Sequence, residues 1–293
     1  MNNTNDKKLL SYKLQFLLIM AIFGIMGPIV RAIGLPSSVI ACLRAWISAI
    51  ALILYLKISK HSFDKSEIKK ALIPLIISGI CMAGDWIGLF EAYNYTTIAT
   101  ATVCYYLTPG IVFVLSPVIL KEKFKPKHAI CAITSFIGMI FVSGIIENGM
   151  PQLSEIKGVL WAVFGAISYA AIILINKKFP VGDAIVRTTM QLLTCAIVVL
   201  PYVLIKNNPA TLNFTVKGIL LTLLLGIVFT AIVYIRYFGI IVKIPARTVA
   251  IFSYADPVIA VLVSVFIMNE PITIYGIIGS VLIIGSAIVS ELI

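Results

Sequence analysis

Long apolar runs recur along the whole of this 293-residue chain and leave little choice of fold. A helix needs about 20 apolar residues to cross the hydrocarbon core of a bilayer. With 60% hydrophobic and 12% charged residues, the chain could not stay soluble. We therefore predict an all-α membrane protein of about ten transmembrane helices. The predicted spans are 14–33, 37–56, 71–92, 98–119, 128–146, 158–176, 182–205, 217–240, 247–268 and 271–290.

One motif occurs twice in the chain, as a proline followed thirteen residues later by a glutamate. The first copy is Pro109 with Glu122, and the second is Pro257 with Glu270. The shift that superimposes them also aligns other identical residues: Ala83 with Ala231, Ile87 with Ile235, Phe90 with Phe238, Thr100 with Thr248, Tyr106 with Tyr254, Ser116 with Ser264 and Ile119 with Ile267. This self-similarity predicts two five-helix repeats, at 1–150 with a short polar tail and at 151–293. Because five is an odd number, the second repeat must be inverted.

The net charge of +11 comes mainly from Lys and Arg residues on one side of the predicted membrane. With the amino terminus inside, the inner segments contain these cations: Lys7, Lys8, Lys13, Lys57, Lys60, Lys65, Lys69, Lys70, Lys121, Lys123, Lys125, Lys127, Lys177, Lys178, Arg187, Arg236, Lys243 and Arg247. Since such residues stay on the cytoplasmic side, we predict a multi-pass cell-membrane protein with both termini in the cytoplasm. The charge is a topology signal, so the expected partner is a lipid bilayer and not a nucleic acid.

Several local motifs accompany the duplication. In the first half they are Phe90-Glu91-Ala92-Tyr93, Thr97-Ile98-Ala99-Thr100-Ala101, Tyr106-Leu107-Thr108-Pro109 and Glu122 with Gly138; in the second they are Tyr254-Ala255-Asp256-Pro257, Glu270, and Gly276 through Gly285. With these motifs the chain resembles an EamA-type member of the drug/metabolite transporter superfamily. The resemblance implies ten helices in two repeats around a central cavity. It also implies that the first, third, fourth, sixth, eighth and ninth helices line this cavity, and it favours amino acids and their analogues as substrates.

Two carboxylates inside predicted spans, Asp85 and Asp256, identify the candidate site. A charged group near the bilayer centre costs about 2.5–3.5 kcal/mol on insertion scales, so it usually faces a cavity or a partner. At helical spacing Asp85 shares a face with Trp86, and Asp256 shares one with Ser253. We predict that these positions and their counterparts in the first half bind substrate: Asp85, Trp86, Tyr105, Thr108, Ser253 and Asp256. In a purely structural role, Asp256 would instead pair with Arg236 or a neighbouring serine.

Aromatic residues deep in the predicted spans are further candidates. Trp161 and Tyr169 both fall in the sixth span. A buried tyrosine or tryptophan needs a hydrogen-bond partner, so each is either a packing residue satisfied by a neighbouring helix or part of the cavity wall. We include both in the predicted substrate site. Tyr93, by contrast, lies near a span end and is predicted to belong to the aromatic belt at the membrane interface.

Arg44 and Glu91 are predicted to have gating or structural roles. Arg44 lies about two turns inside the second span, where it would snorkel or pair with a carboxylate or helix end. The alternative for Arg44 is to bind an anion from the outer side. Glu91 shares a helix face with Gly84 and Gly88, whose spacing indicates close helix packing, and is expected near the outer end.

The doubled motif itself is predicted to be framework. Pro109 and Pro257 each remove a backbone hydrogen bond and kink their helices, which would provide hinges. Glu122 and Glu270 would bond amides at helix ends or pair with lysines. Small residues in the last span favour close packing, for which a second copy of the chain is one candidate partner, so the sequence allows both a monomer and a homodimer.

The chain lacks motifs for metals, nucleotides or covalent catalysis. Its five cysteines lie in apolar spans without CxxC spacing, and neither His61 nor His128 has a carboxylate cluster nearby. There is no Walker sequence, so we expect no cofactor and no metal. An alternative from another class is an intramembrane aspartyl protease using Asp85 and Asp256. The context disfavours it, because neither Asp follows a tyrosine directly or stands in a Gly-x-Gly-Asp sequence.

The sequence therefore predicts a secondary transporter and not an enzyme. We expect the two repeats to rock around a midplane cavity and to export amino acids or related small metabolites, in exchange for protons or down the substrate gradient. Asp85 or Asp256 would carry the proton, because a carboxyl group in a low-dielectric cavity can exchange protons near the working pH. A net acidic cavity would also suit organic cations.

Overall fold

The computed structural model describes residues 2–123, 125–148, 155–180, 183–268 and 273–292. The helices in these ranges are α1 (Asn2–Ile33), α2 (Ser37–Ile58), α3 (Lys65–Tyr95), α4 (Ile98–Tyr105), α5 (Thr108–Leu120), α6 (Pro126–Val142), α7 (Ile145–Asn148), α8 (Ile156–Lys178), α9 (Ala184–Lys206), α10 (Val216–Leu224), α11 (Val233–Ile241), α12 (Ala246–Ser253), α13 (Ala255–Met268) and α14 (Ile274–Leu292). A π-helical segment, Leu225–Ile232, joins α10 to α11. The predicted all-α class is confirmed.

Eight helical spans within the described ranges are long and apolar enough to cross a membrane. Three of them are interrupted: Ile98–Leu120 contains α4 and α5, Val216–Ile241 contains the π-helical segment, and Ala246–Ile267 contains α12 and most of α13. Two shorter apolar helices, Pro126–Val142 and Ile274–Ser290, occupy the places predicted for the fifth and tenth spans. Large apolar side chains such as Ile73, Val118 and Phe266 are exposed on the outside, where lipid would cover them.

Polar side chains set where several helices begin. An oxygen of the residue before the helix accepts a hydrogen bond from a backbone amide in the first turn, which satisfies a donor that the helix leaves free. Five α-helix starts in the described ranges have this cap: Asp64 with the amide of Ser66, Thr97 with Thr100, Asp183 with Ile185 and Val186, Thr215 with Gly218, and Thr273 with Gly276. These caps lie at the turns between spans, so they fix the starts of α3, α4, α9, α10 and α14.

Successive spans run in opposite directions because short turns connect them, so the loops fall into two sets. One set comprises the segments that follow α2, α5, α8 and α11, whose described residues are 59–64, 121–123 and 125, 179–180 and 183, and 242–245. We call this the basic end, because it contains Lys60, Lys121, Lys123, Lys125 and Lys243, among others. The other set, at the opposite end, comprises the turns around 34–36, 96–97 and 207–215.

Helix packing pairs elements from the two halves of the chain. α3 packs along α8, and α1 packs along the span Val216–Ile241 and along α13. α2 packs on α9, and α6 packs on α14. Glycines permit the closest approaches: a Cβ on Gly88 would lie 2.8 Å from the backbone nitrogen of Gly165, and one on Gly138 would lie 2.8 Å from the carbonyl oxygen of Gly279. Gly279 of the last helix therefore packs against α6 within the same chain.

Candidate functional site

The span Ile98–Leu120 is broken at Tyr106 and Leu107, between α4 and α5. Pro109 causes the break, since it lacks an amide hydrogen and its ring clashes with the carbonyl of Tyr105 four residues earlier. The Thr108 hydroxyl donates to that carbonyl at 2.9 Å and also to the Ala166 carbonyl of α8 at 3.1 Å. The broken backbone is thus satisfied locally, and Thr108 ties α5 to α8.

The span Ala246–Ile267 is broken in the same way, at Tyr254, three residues before Pro257. The two breaks contact each other through the aligned tyrosines Tyr106 and Tyr254. Their rings stack with centroids 6.2 Å apart, and the Tyr254 hydroxyl donates to the Tyr106 carbonyl at 3.1 Å. The Tyr106 hydroxyl donates in turn to Asp256 Oδ2 at 2.7 Å. Tyr106 is therefore a partner of Asp256, and among the described residues no pairing of Asp256 with Arg236 or a neighbouring serine is found.

A cavity of about 310 Å³ lies above these breaks and extends toward the opposite end. It reaches from Tyr169 and Tyr234, deep in the bundle, to Ser37 and Tyr93 near the opposite end. Seven of the eight residues predicted to bind substrate line it: Asp85, Trp86, Tyr105, Thr108, Tyr169, Ser253 and Asp256. Pro109 also lines it. The wall includes α2, which the family resemblance did not imply, and Tyr93, which we predicted for the membrane interface.

Asp85 is the most enclosed charge in this cavity, with a side chain only 5% exposed. Its Oδ1 atom has no hydrogen-bond partner among the described residues. The Tyr105 side chain interacts with the carboxylate, and its ring stacks on Tyr169 with centroids 6.0 Å apart and planes 10° from parallel. Asp85 therefore lies against packed aromatic side chains, and its Oδ1 atom can accept a hydrogen bond from a ligand.

Arg44 enters the same cavity from α2. Its guanidinium carbon lies 3.8 Å from the centroid of a Trp86 ring, which is a cation–π contact, and its Nε has no hydrogen-bond partner in the described part of the chain. The backbone below it is held by Ser48, whose hydroxyl donates to the carbonyls of Arg44 and of Gly226 in the π-helical segment. Arg44, like Asp85, is a charged residue inside a predicted span. The cost of placing such a charge in a membrane was the signal in the sequence that Arg44 faces the cavity.

Three other predicted residues lie away from the cavity or outside the described ranges. Trp161 packs near the start of α8, with its ring edge-on to Phe164 at 5.9 Å, and does not line the cavity. Glu91 accepts hydrogen bonds from the Tyr202 hydroxyl at 2.6 Å and from Lys206 Nζ at 2.9 Å, near the opposite end. Glu270 lies outside the described residues.

At the basic end, Glu122 and Lys177 connect three helices. Glu122 accepts the backbone amide of Ala246, the first residue of α12, at 3.0 and 3.2 Å. Lys177 Nζ donates to the carbonyls of Ile241 and Ile244 at 3.0 and 2.5 Å, and lies 3.9 Å from Glu122. We call these five contacts of Glu122 and Lys177 the basic-end clasp.

Between the clasp and the cavity, the bundle is filled by packed side chains. Phe16, Met20, Met82, Tyr237 and Phe238 are each at most 2% exposed and belong to one apolar cluster. Tyr237 and Phe238 are in ring contact at 5.2 Å. The cavity is therefore closed toward the basic end by the packed core and by the clasp. Within the described ranges, no group of three or more His, Cys, Asp or Glu side chains could hold a metal ion.

Comparison with known proteins agrees with this architecture. The family model of the EamA-like transporter family matches residues 10–144 and again residues 156–291. The chain belongs to the EamA-like transporter family. It is a multi-pass membrane transporter and not an enzyme, which excludes the aspartyl protease alternative.

Relatives of this EamA-like transporter include two proteins of Bacillus subtilis (strain 168). The uncharacterized transporter YxxF is 24% identical over 267 residues, covering 90% of this chain and 84% of YxxF. The uncharacterized transporter YoaV is 24% identical over 252 residues, covering 85% of each chain. A protein of known crystal structure superimposes with a TM-score of 0.84 at 18% identity, over 96% of this chain and 98% of the other, and so shares the fold.

Proposed function

We propose that this EamA-like transporter exports small metabolites of the amino-acid class by alternating access. The observation that supports this most strongly is a cavity that contains Asp85 and Asp256 and extends toward one end, while the other end is closed. A channel would need a continuous path between the two ends. A cavity closed on one side instead fits a carrier that exposes its site to each side in turn.

The proposed orientation places the basic end and both termini in the cytoplasm of a cell membrane. It rests on the lysines and arginines that cluster in the turns of that end. In this orientation the cavity faces outward, and the basic-end clasp separates it from the cytoplasm. For an exporter this conformation is the one that releases substrate.

The moving parts are proposed to be the repeats 1–150 and 151–293. Packing supports this division, because contacts recur when the halves are exchanged: α3 with α8 corresponds to Val216–Ile241 with α1, and α5 with α8 corresponds to α13 with α1. The breaks at Tyr106 and Tyr254 lie where the repeats meet. Rocking about this contact would open the basic end and close the opposite end.

Asp85 and Asp256 are the proposed proton carriers, as the sequence suggested, and their surroundings differ. Asp256 already accepts a hydrogen bond from Tyr106, whereas Asp85 Oδ1 has no partner among the described residues. The Tyr106 hydroxyl can donate a hydrogen bond to the ionised carboxylate and accept one from the protonated carboxyl group. Asp256 could therefore gain or lose a proton without a ligand. We propose Asp256 as the first choice for proton exchange and Asp85 as the second.

Transport by purified protein in vesicles tests the proposal. Uptake of labelled amino acids is measured with and without a pH gradient, for the wild type, Asp85→Asn and Asp256→Asn. Asp64→Asn is the matched control, because Asp64 caps α3 at the basic end and asparagine caps equally well. We expect Asp256→Asn to abolish the response to the pH gradient. If both cavity variants keep full transport and its pH response, proton coupling at these residues is wrong.

A further inference from the structure

We propose that the cavity recognises an α-amino acid as a zwitterion, with Arg44 binding the carboxylate and Asp85 binding the ammonium group. This inference rests on the proposed transport function and names the chemistry of its substrate site. It also chooses between the two substrate classes that the sequence left open, amino acids and organic cations.

Asp85 provides the first argument. Its side chain is 95% buried by accessible area, since 5% remains exposed, yet Oδ1 has no hydrogen-bond partner among the described residues. A buried charged oxygen without a partner is costly, so such atoms are usually completed by water, an ion or a ligand. Because the carboxylate lines the cavity, a ligand N–H group can reach it from there.

Arg44 provides the second argument, which is independent of the first. The Trp86 ring covers one face of the guanidinium at 3.8 Å, while Nε lacks a partner in the described part of the chain. A stacked guanidinium keeps its N–H groups directed in the plane, the geometry that binds carboxylates. Snorkelling does not explain this position, because the side chain borders the cavity.

The location of the two charges provides the third argument. Asp85 precedes Trp86 in α3, and Arg44 stacks on Trp86, so both charges border the same part of the cavity. They nevertheless form no direct ion pair with each other in the described ranges. A ligand whose ammonium and carboxylate groups share one carbon atom would satisfy both. An organic cation would leave Arg44 unsatisfied, and an organic anion would leave Asp85 unsatisfied.

The remaining wall indicates where the amino-acid side chain would lie. Phe23, Phe90 and Tyr234 line the cavity together with the aromatic residues already described. An apolar or aromatic substituent would be buried against these rings. Because Asp256 Oδ2 is bonded to Tyr106, the ammonium group is assigned to Asp85.

Three forms of one compound test the proposal without knowledge of the natural substrate. Phenylalanine carries both charges, phenylalanine methyl ester only the cation, and N-acetylphenylalanine only the anion. Leucine and its two derivatives form a second series. Binding to the purified full-length protein in lipid nanodiscs is measured by the shift in melting temperature and by titration. We expect the free amino acid to bind about 10- to 100-fold more tightly than either derivative.

Variants assign the two charges. Arg44→Gln should weaken phenylalanine about 10- to 100-fold, to the affinity of the methyl ester, and leave the ester unchanged. Asp85→Asn should weaken phenylalanine about 10- to 100-fold, to the affinity of N-acetylphenylalanine, and leave the binding of the N-acetyl form unchanged. Arg44→Lys should retain part of the preference, and Arg236→Gln, at an exposed position of α11, is the matched control. Equal loss of all three forms in a variant would indicate a structural role and overturn the assignment.

The wild-type comparison stands even where a variant fails to fold. If the ester or the N-acetyl form binds as tightly as the free amino acid, the zwitterion proposal is wrong. Vesicles that transport amines or neutral solutes but not amino acids would overturn this inference and leave transport by alternating access intact. Vesicles that transport none of these classes would contradict the proposed function itself.

Discussion

The basic-end clasp offers a direct test of alternating access, because Glu122 in the first repeat contacts Ala246 and Lys177 in the second, and these contacts must break when the repeats part at that end. Glu122 accepts the amide of Ala246, the first residue of α12, and lies 3.9 Å from Lys177 Nζ. The two hydrogen bonds that Lys177 donates, to Ile241 and Ile244, lie within the second repeat and need not break. Glu122→Ala removes both the charge and the acceptor of the Ala246 amide.

The size of the effect follows from these contacts. A hydrogen bond to a charged group contributes about 1.5–3 kcal/mol, so losing the bond between Glu122 and the Ala246 amide costs about that much in the closed state. If the open state lacks this bond, the equilibrium shifts by about 10- to 100-fold toward it. Glu122→Gln keeps an acceptor but loses its charge at the start of α12, so its shift should be about tenfold or less.

Cysteine accessibility measures this shift. In a background without the five native cysteines, Met82→Cys places a thiol in the packed core below the cavity, where Met82 is 1% exposed. A membrane-impermeant thiol reagent is applied from the basic end. We expect Glu122→Ala to react about 10- to 100-fold faster than its parent. The neighbouring exposed residue supplies the control, Lys123→Ala. Equal rates for Glu122→Ala and this control would refute the reasoning.

Three further substitutions test the packing and the broken helices. Gly88→Val should lower the melting temperature by several degrees, because its Cβ would lie 2.8 Å from the α8 backbone, whereas Gly27→Ala has open space and should be neutral. Tyr106→Phe removes the 2.7 Å hydrogen bond to Asp256, and the transport rate at fixed pH should change at least several-fold. Thr108→Val leaves two backbone carbonyls without their hydroxyl donor, and thermal unfolding should show a loss of about 1–3 kcal/mol.

Much of this fold could be predicted from the sequence, because the membrane imposes span length and apolar character. The structured start of α1 at Asn2, ahead of the predicted 14, is the largest difference at a span end. It arises because the mostly polar residues before the apolar run continue the same helix. The proline kinks were also predictable, since Pro109 and Pro257 cannot donate a backbone hydrogen bond.

The contacts across the site could not be predicted, because they join distant segments. Trp161 and Tyr169 fall in one span, yet only Tyr169 lines the cavity, and their depths alone did not distinguish them. For Arg44 the sequence offered an insertion cost but not the Trp86 ring that holds the guanidinium. Likewise, the duplication aligns Tyr106 with Tyr254 without indicating that they exchange contacts in space.

The duplicated motif predicts opposite effects for substitutions of its two glutamates. The shift that aligns Glu122 with Glu270 also aligns Ala246 with Ile98, so the proposed inversion of the repeats predicts a bond from the Ile98 amide to Glu270 in the state with the opposite end closed. Glu122→Gln then weakens the state with the basic end closed, and Glu270→Gln weakens the state with the basic end open. Modification of Met82→Cys from the basic end should accelerate in the first variant and slow in the second. A change in the same direction in both would mean that the two glutamates do not act as inverted counterparts.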